Sequence, residues 1–346
     1  MKQYLSLFHT RSIERADLRS LPGYHSFHGG DDRTDNIHHF GNIRNDSISS
    51  CQLTVLTQDK EDRHGRSAER YGIKFKKGVF IMELKLGDVQ TTALIPLAVK
   101  ANETLRKNAR IKDQKAVEII KTLKIDTAQY DKFMSHEGVI ARTIMLDRQL
   151  KGIIKKYPDT VIVNVGAGFD DRFSRMDNGK ILWFDLDLPD SIAARRKAFP
   201  ERDRVTMIAG NALENSWCGQ VKESLAGRKS KPVFIAEGLF MYLTLDQIRT
   251  FLKVLKNNFP DGGILIAEQN GKFMMKNDKH HDTVKNTNAH FMSGTDSGQE
   301  IADLVNGFQL VEEHSFNEEM KKYSIRAKLF ALLLPKVNDR WATFRW

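Results

Sequence analysis

The chain has 346 residues, 40% hydrophobic and 28% charged, so it can bury one large α/β domain or two smaller ones. No apolar run approaches the roughly 20 residues that span a bilayer, and only two cysteines occur, which excludes a disulfide framework and predicts a cytoplasmic protein without a membrane partner. The formal net charge of +10 comes from scattered lysines and arginines, which favours a solvated basic surface over a nucleic-acid partner.

The first 81 residues differ in character from the rest. Residues 25–50 are polar and rich in Gly, Asn, Asp and Ser, so they bury too little apolar surface to offset their ordering entropy. Their histidines lack the cysteine or carboxylate pattern of a metal site, and we predict no metal. We predict that residues 1–81 are a disordered or non-native leader, and that Met82 opens a domain spanning 82–346.

From Met82 onward, helical and strand patterns alternate, which predicts a parallel sheet covered on both faces. Thr244 and Gln247 have the spacing of a capping box at the start of a helix. Helices are predicted at about 91–107, 114–124, 134–156, 189–199, 215–226, 245–258 and 322–334, and strands at about 161–165, 181–187, 204–209, 232–237, 263–268, 308–311 and 341–346. Residues 270–296 interrupt the alternation, either as a lid over a site or as an ordinary surface excursion.

The strongest chemical signal is a buried strand, 161–165, followed by Gly166-Ala167-Gly168. The two glycines allow a tight turn and the close approach of a ligand to the backbone, at the edge of the sheet where doubly wound proteins bind ligands. A Gly-x-Gly turn alone is compatible with a dinucleotide, with S-adenosylmethionine, or with a turn that binds nothing.

Two further features favour S-adenosylmethionine. The dinucleotide fingerprint has a third glycine where this chain has Asp171, and a carboxylate there would repel a pyrophosphate. Asp185 and Asp187 lie at alternate positions of the next strand and so point to the same side. Asp187 ends the strand and is the better candidate to bind ribose hydroxyls, whereas Asp185 has the alternative of pairing with a buried arginine.

The fourth predicted strand, 232–237, ends in Glu237, whose carboxylate either binds the ammonium of the methionine moiety or caps a helix. With this motif the chain resembles the leucine carboxyl methyltransferase family, and within it the bacterial polyketide O-methyltransferases. The resemblance rests on four motifs in order, at 89–98, 164–172, 185–189 and 236–244, and extends over about residues 83–335.

The resemblance implies which residues contact the cofactor. Arg142 matches the arginine that binds the cofactor carboxylate, Gly166 the turn glycine, Asp187 the ribose acid and Glu237 the acid after the fourth strand. Asn211-Ala212 stands where the family has Asp-Leu beside the adenine, which is a departure, although an Asn carbonyl still accepts from an amino group. The family's N-terminal lysine has no counterpart in the motifs, and Arg172 and Arg175 are expected to hold the loop or pair with Asp170.

We therefore predict a class I methyltransferase: a seven-stranded, mostly parallel sheet with an antiparallel last hairpin, capped by helices 90–156 and by 270–296. The predicted activity is transfer of a methyl group from S-adenosylmethionine to a carboxyl or hydroxyl oxygen of a small molecule. A hydroxyl would need a base, and none is identified, although Tyr242 lies near the cofactor edge. The alternatives are an NAD-dependent oxidoreductase, a nucleic-acid methyltransferase and a non-catalytic binding module.

Overall fold

The computed structural model describes residues 91–284, 287, 289–333 and 338–346, and the backbone alone of residues 73–76, 79–82 and 280. Strands β1 (Ile73–Lys76) and β2 (Val79–Met82) pair as an antiparallel hairpin. The proposed start at Met82 coincides with the last residue of β2. The leader proposed for residues 1–81 lies almost wholly outside the described residues and stays a prediction.

Between residue 91 and the main sheet the structure has three α-helices: α1 (Leu94–Thr104), α2 (Gln114–Leu123) and α3 (Phe133–Lys156). Each lies within three residues of its predicted bounds. A buried ionic cluster centred on Glu103 of α1 joins α1 to α3. Glu103 accepts from Nε of Arg110 at 2.9 Å and from Nε2 of His136 at 2.9 Å, and Arg110 also reaches Glu137 at 2.7 Å.

The main sheet has seven strands in the order β5-β4-β3-β6-β7-β9-β8. Strands β3 to β7 are parallel to their neighbours, and β9 runs antiparallel to both β7 and β8. The predicted parallel sheet with an antiparallel final hairpin is thus confirmed. The strands are β3 (Val161–Val165), β4 (Leu182–Asp187), β5 (Val205–Ala209), β6 (Val233–Ala236), β7 (Ile264–Gln269), β8 (Gln309–Ser315) and β9 (Arg340–Arg345).

Helices cover both faces of the sheet, because the central strands are apolar on both sides. On one face Val163 and Val165 pack with Phe251 and Leu255 of α7, while on the other Ile162 packs with α3. The remaining helices are α4 (Arg172–Met176), α5 (Pro189–Ala198), α6 (Cys218–Ser224), α7 (Leu245–Asn258), α8 (Lys272–Lys276), α9 (Gly298–Ala302), α10 (Asn317–Met320) and α11 (Ile325–Leu333). In the described residues no helix has the length and apolarity that crossing a bilayer requires.

Local sequence signals set several of these helix ends. The predicted capping box is present at α7, where Thr244 accepts from the N–H of Gln247 and the Gln247 side chain accepts from the N–H of Thr244. Asp113 caps α2 by accepting from the N–H of Ala116 at 3.0 Å. Pro189 opens α5 at a first-turn position, where its missing N–H costs nothing.

Because strands β3 to β7 run parallel to one another, their carboxyl ends lie at one edge of the sheet. The Gly turn and the predicted acids meet at this edge.

The Glu103 cluster predicts an acid-sensitive stability. Burial alone would raise the pKa of Glu103, but hydrogen bonds from Arg110 and His136 lower it from 4.5 to about 2. The stabilisation is therefore complete above pH 4.5 and is lost as the pH falls towards 2. We expect Glu103→Gln to melt below the wild type at pH 7 and the gap to narrow between pH 4.5 and 2, in thermal unfolding followed by circular dichroism. Glu118→Gln, an exposed control, should follow the wild type, and a gap that stays constant down to pH 2 would contradict the prediction.

Candidate active site

A cavity of about 520 Å³ opens at the carboxyl edge of the sheet. Its lining includes eight of the nine residues predicted to bind the cofactor: Arg142, Gly166, Ala167, Gly168, Asp187, Asn211, Ala212 and Glu237. These residues come from α3 and from the turns after β3, β4, β5 and β6. Five elements far apart in sequence therefore contribute to a single site.

The Gly turn has the backbone conformation that favours glycine. Gly166 has φ +71° and Gly168 has φ +48°, both in the left-handed region. A Cβ on Gly168 would also lie 3.2 Å from the Cβ of Ala93 on the approach to α1. The turn is tied to the neighbouring strand, because Gly166 donates to the carbonyl of Leu186 at 2.8 Å.

Asp187 joins the Gly turn to the end of β4. One carboxylate oxygen accepts from the N–H of Gly168 at 2.8 Å and the other from the N–H of Leu188 at 2.7 Å. Burial raises the pKa of Asp187, and the two backbone donors oppose that shift. The side chain of Ser191 is a third donor, and a carboxylate has about four acceptor sites, so one is left for a ligand hydroxyl in the cavity.

Asp185 does not line the cavity, and its predicted role as a cofactor contact needs correction. The residue is fully buried beneath the Gly turn and accepts from Asn164, from the indole of Trp183 at 2.9 Å and from Arg195 at 2.7 Å. Arg195 also donates to the carbonyls of Gly168 and Asp170. Asp185 therefore does what the alternative predicted: it pairs with a buried arginine, which holds the turn.

Asn211 and Ala212 follow β5 at the cavity edge. The Asn211 side-chain oxygen accepts from the N–H of Leu213 at 3.0 Å, while its amide donates weakly to Glu214 at 3.4 Å. The side chain thus makes a local turn of its own backbone. The second lone pair of that oxygen and the second N–H of the amide are left for a ligand.

Asp171, on which the argument against a dinucleotide rested, lies outside the cavity lining. Its carboxylate pairs with Arg202 at 2.7 Å and accepts from the Ser174 hydroxyl at 2.9 Å. The charge is thus neutralised by the protein and directed away from the site. Asp171 is therefore weaker evidence against a bound pyrophosphate than its position in the sequence suggested.

Arg172 is the centre of a buried ionic cluster beneath the cavity. It has no exposed surface, and its guanidinium lies 2.7 Å from Asp147 of α3, 2.7 Å from Asp170 and 2.6 Å from Glu237. The expected pairing of Arg172 with Asp170 is confirmed. The neighbouring Arg175 adds a second contact to Asp147 at 2.7 Å.

Arg142 and Glu237 meet at the cavity wall. Nε of Arg142 lies 3.0 Å from Glu237, and Nη1 donates to both oxygens of Glu268 at 3.0 and 3.1 Å. Burial would raise the pKa of Glu237, but Arg172 and Arg142 overcome it and lower the pKa to about 2. The Nε–Glu237 contact is an ion pair without hydrogen-bond geometry, and Nε of Arg142 and Oε2 of Glu237 are both buried without a hydrogen-bond partner among the described residues.

Lys100 is a site residue that the sequence motifs missed. It lies on α1, is 3% exposed, lines the cavity and pairs with Asp170 at 2.6 Å. The available signal was a single cation within the otherwise apolar stretch 94–101.

Residues 270–296 contribute one wall of the cavity, through Phe273, Met274, Asn277, His281, Asp282, Val284 and Phe291. Asp282 fastens this segment to the start of α3 by accepting from the N–H groups of Met134 at 2.9 Å and Ser135 at 3.2 Å, and from the Ser135 hydroxyl. At its base, the N–H of Thr295 donates to the carbonyl of Asn270 at 2.9 Å. The segment is therefore anchored at both its base and its middle.

Besides Asp282, the titratable groups His281, Tyr242 and Asp339 line the cavity. Nδ1 of His281 accepts from the N–H of Val284 at 3.2 Å, which leaves the proton of the neutral ring on Nε2. Burial lowers the pKa of His281, and it raises that of Tyr242 to about 12. Burial and the nearby Glu268 raise the pKa of Asp339 to about 8. Among the described residues, no group of histidine, cysteine and acidic side chains could hold a metal ion.

The strand order, the Gly turn after the central strand and the acid after the next strand together define a class I methyltransferase fold. Residues 93–256 match the model of the leucine carboxyl methyltransferase family. The chain resembles this family over that range and is an S-adenosylmethionine-dependent methyltransferase.

Individual relatives are distant. The chain is 24% identical over 234 residues to the tetracenomycin polyketide synthesis O-methyltransferase TcmP of Streptomyces glaucescens, covering 67% of this chain and 84% of that protein. It is 24% identical over 201 residues to the S-adenosylmethionine-dependent methyltransferase dpfgK of Gibberella zeae, covering 53% and 65%. The O-methyltransferase NcsB1 of neocarzinostatin biosynthesis, solved with S-adenosylmethionine and a naphthoic acid, superposes with a TM-score of 0.38 at 13% identity, covering 74% and 68%.

The ionic cluster predicts a large cost for losing its central cation. Arg172→Met leaves three buried carboxylates each short of a partner, which should destabilise the fold by about 3–5 kcal/mol. Urea unfolding followed by tryptophan fluorescence measures this change. Arg249→Met removes an exposed pair with Asp246 on α7 and should change stability little. Equal effects of the two substitutions would show that Arg172 does not hold the cluster together.

Proposed function

We propose that the chain transfers the methyl group of S-adenosylmethionine to a carboxylate oxygen of a small apolar or aromatic acid. One observation carries the carboxylate assignment: near neutral pH, Tyr242, His281 and Asp339 at the acceptor wall all hold protons that they can donate. A carboxylate accepts such hydrogen bonds and attacks without a base, whereas a hydroxyl must first lose a proton.

The donor set of the cavity fits S-adenosylmethionine. Arg142 and Lys100 are cations beside the Gly turn and suit the methionine carboxylate, while Glu237 suits the ammonium. Asp187 suits the ribose hydroxyls, and the segment Asn211–Ala212 the adenine edge. When bound, S-adenosylmethionine supplies the methyl group to the acceptor oxygen, its sulfonium becoming a neutral thioether.

The acceptor compartment lies between the cofactor residues and the segment 270–296. Its apolar wall consists of Met134, Phe273, Met274, Phe291 and Phe330. Phe291 is held between Tyr242, at 5.8 Å between ring centroids, and the edge of His281, at 5.7 Å. Flat aromatic groups of this kind favour a planar acceptor body, with the carboxylate directed at the donors.

The protein's contribution to rate is placement. Arg142 sits between Glu237 and Glu268, so it cannot turn away from the cavity without breaking two ion pairs. The wall carrying His281 is fastened through Asp282 to α3, the helix that also carries Arg142. Cofactor and acceptor are thereby held by one rigid frame, and proximity of this kind supplies much of the acceleration of a displacement reaction.

Cys218 is buried, and burial raises the pKa of its thiol to about 11, so the thiol is inert. An unoxidised, inert thiol suits the proposed cytoplasmic location.

The direct test compares two flat probes, 2-naphthoic acid and 2-naphthol, each incubated with S-adenosylmethionine and the full chain. Mass spectrometry should detect methyl 2-naphthoate and little naphthyl methyl ether. Methylation of the naphthol alone would replace the carboxylate assignment with a hydroxyl one. Binding of S-adenosylmethionine by calorimetry with no methylation across a wider panel of acids and phenols would indicate a binding module, and binding of NAD instead would indicate an oxidoreductase.

The ribose role of Asp187 predicts a loss of cofactor affinity on substitution. Asp187→Ala removes a charged acceptor, so S-adenosylmethionine binding should weaken by about 1–3 kcal/mol in calorimetry. Asp190→Ala, an exposed acid three residues further on and outside the cavity lining, is the matched control and should bind as the wild type does. Unchanged affinity in Asp187→Ala, in a variant shown to be folded, would refute the ribose role.

Asp339 predicts how acceptor binding depends on pH. Its pKa of about 8 keeps the carboxyl neutral near pH 7, between Glu268, Arg142 and Arg340, and leaves it ionised above pH 8. An ionised Asp339 repels an anionic acceptor, so KM for 2-naphthoate should rise as the pH passes 8. Asp339→Asn cannot ionise and should show a flat KM over pH 7–9, with S-adenosylmethionine affinity unchanged. The same rise in both proteins would exclude Asp339 as its source.

A further inference from the structure

Helix α11 exposes an apolar face that no other described residue covers. The exposed fractions of Ile325, Leu329, Leu332 and Leu333 are 79%, 52%, 73% and 72%. Single exposed leucines are common on protein surfaces, but four large aliphatic side chains on nine residues of one helix form a contiguous patch. Packing against the other described residues does not bury these four side chains.

The positions of these side chains around the helix are those of an interfacial stripe. Successive residues of an α-helix are rotated by about 100°, so residues 325, 329, 332 and 333 fall within an arc of about 100°. The opposite side faces inward, with Ala327 buried and Phe330 lining the cavity. Arg326 and Lys328 lie on the two flanks of the stripe, and both are exposed.

The charged residues of α11 and of the four residues before it are all cations. Residues 320–333 contain Lys321, Lys322, Arg326 and Lys328 and no acidic residue. Lys322 is paired with Glu319 and Arg326 lies over the ring of Phe133 at 4.2 Å, while Lys321 and Lys328 extend from the surface. An apolar face with cations on both sides is typical of helices that lie in the headgroup region of a bilayer.

We propose that the outer face of α11 docks this protein on an anionic lipid surface. The four aliphatic side chains enter the boundary between headgroups and acyl chains, and the flanking cations remain at the level of the phosphates. The arrangement favours lipid over a second copy of the chain, because a two-fold contact on this stripe would bring its flanking cations close to those of the partner. The helix lies on the membrane and does not cross it, so the proposal revises the expected absence of a membrane partner without invoking a spanning segment.

Docking would place the acceptor compartment next to the membrane. Phe330 on the inner side of α11 lines the cavity, and so does Phe273, which is 56% exposed. An apolar acid dissolved in the lipid would reach these rings without crossing bulk water. This consequence rests on the proposed function, whereas the lipid contact itself does not.

Vesicle sedimentation of the full chain tests the contact. The probes are vesicles of phosphatidylcholine alone and vesicles in which about a third of the lipid is phosphatidylserine. The wild type should sediment with the anionic vesicles, bind the neutral ones far more weakly, and dissociate in part as salt is raised. Absence of sedimentation with anionic vesicles at low salt would overturn the proposal.

Two pairs of variants separate the apolar from the electrostatic contribution. Leu329→Ser/Leu332→Ser should abolish sedimentation, while Leu105→Ser/Val311→Ser, two exposed apolar residues elsewhere, should sediment as the wild type does. Lys321→Gln/Lys328→Gln should weaken binding to anionic vesicles by about fivefold for each lysine, and Lys121→Gln/Lys253→Gln should weaken it much less. Equal effects within either pair would show that α11 is not the contact.

Sedimentation velocity of the free protein tests whether the stripe is instead an interface between two copies of the chain. If the Leu329→Ser/Leu332→Ser variant is a monomer where the wild type is a dimer, and neither binds vesicles, the stripe is an interface between copies and the lipid proposal is wrong. Methylation of 2-naphthoate in solution should be the same in this variant and in the wild type. Failure of the lipid contact is therefore distinguishable from failure of the methyltransferase assignment.

Discussion

The buried guanidinium of Arg172 is the interaction on which the site depends. It joins Asp147 of helix α3, Asp170 of the loop after β3 and Glu237 at the end of β6, all within 2.7 Å. A buried charge is costly unless every partner is in place, so these three elements have one favourable arrangement relative to each other. The cluster fixes where α3 crosses the sheet edge, and hence where Arg142 of the same helix enters the cavity.

The same cluster sets the electrostatics of the cavity floor. Asp170 and Glu237 keep little exposed surface, yet the arginines and Lys100 hold the pKa values of both well below their usual range. At Asp339, further from Arg172, burial and the charge of Glu268 outweigh the cations Arg142 and Arg340. They raise the pKa of Asp339 to about 8, so the carboxyl keeps its proton near neutral pH. The cavity thus has an ionised, ion-paired end near the Gly turn and a proton-donating end near the segment 270–296, which suits a zwitterionic cofactor at one end and an anionic acceptor at the other.

Local signals made much of this predictable from sequence. Strand β3 and helix α7 have the predicted bounds, because a β-branched run and a capping box are each encoded within a few residues. Asp187 lies at the cavity for the same reason, since a strand end is a local feature. Asp185 was harder to assign, because its partner Arg195 lies ten residues further on and only the folded helix brings it under the turn. Lys100 depends on Asp170, 70 residues away, and no motif of contiguous residues contains that pairing.

His281 illustrates how placement substitutes for chemistry in this site. Histidine suggests a base, but the backbone N–H of Val284 occupies Nδ1, so the neutral ring presents Nε2–H. The ring is held in its plane by Phe291, and the next residue, Asp282, is bound to the first turn of α3. A donor fixed in this way orients an oxygen that is already ionised and does not have to activate it. The buried ion pairs hold the site rigid, and the groups at the acceptor wall carry protons. Such a site suits a reaction in which the nucleophile is already ionised and the rate depends on how the reactants are positioned.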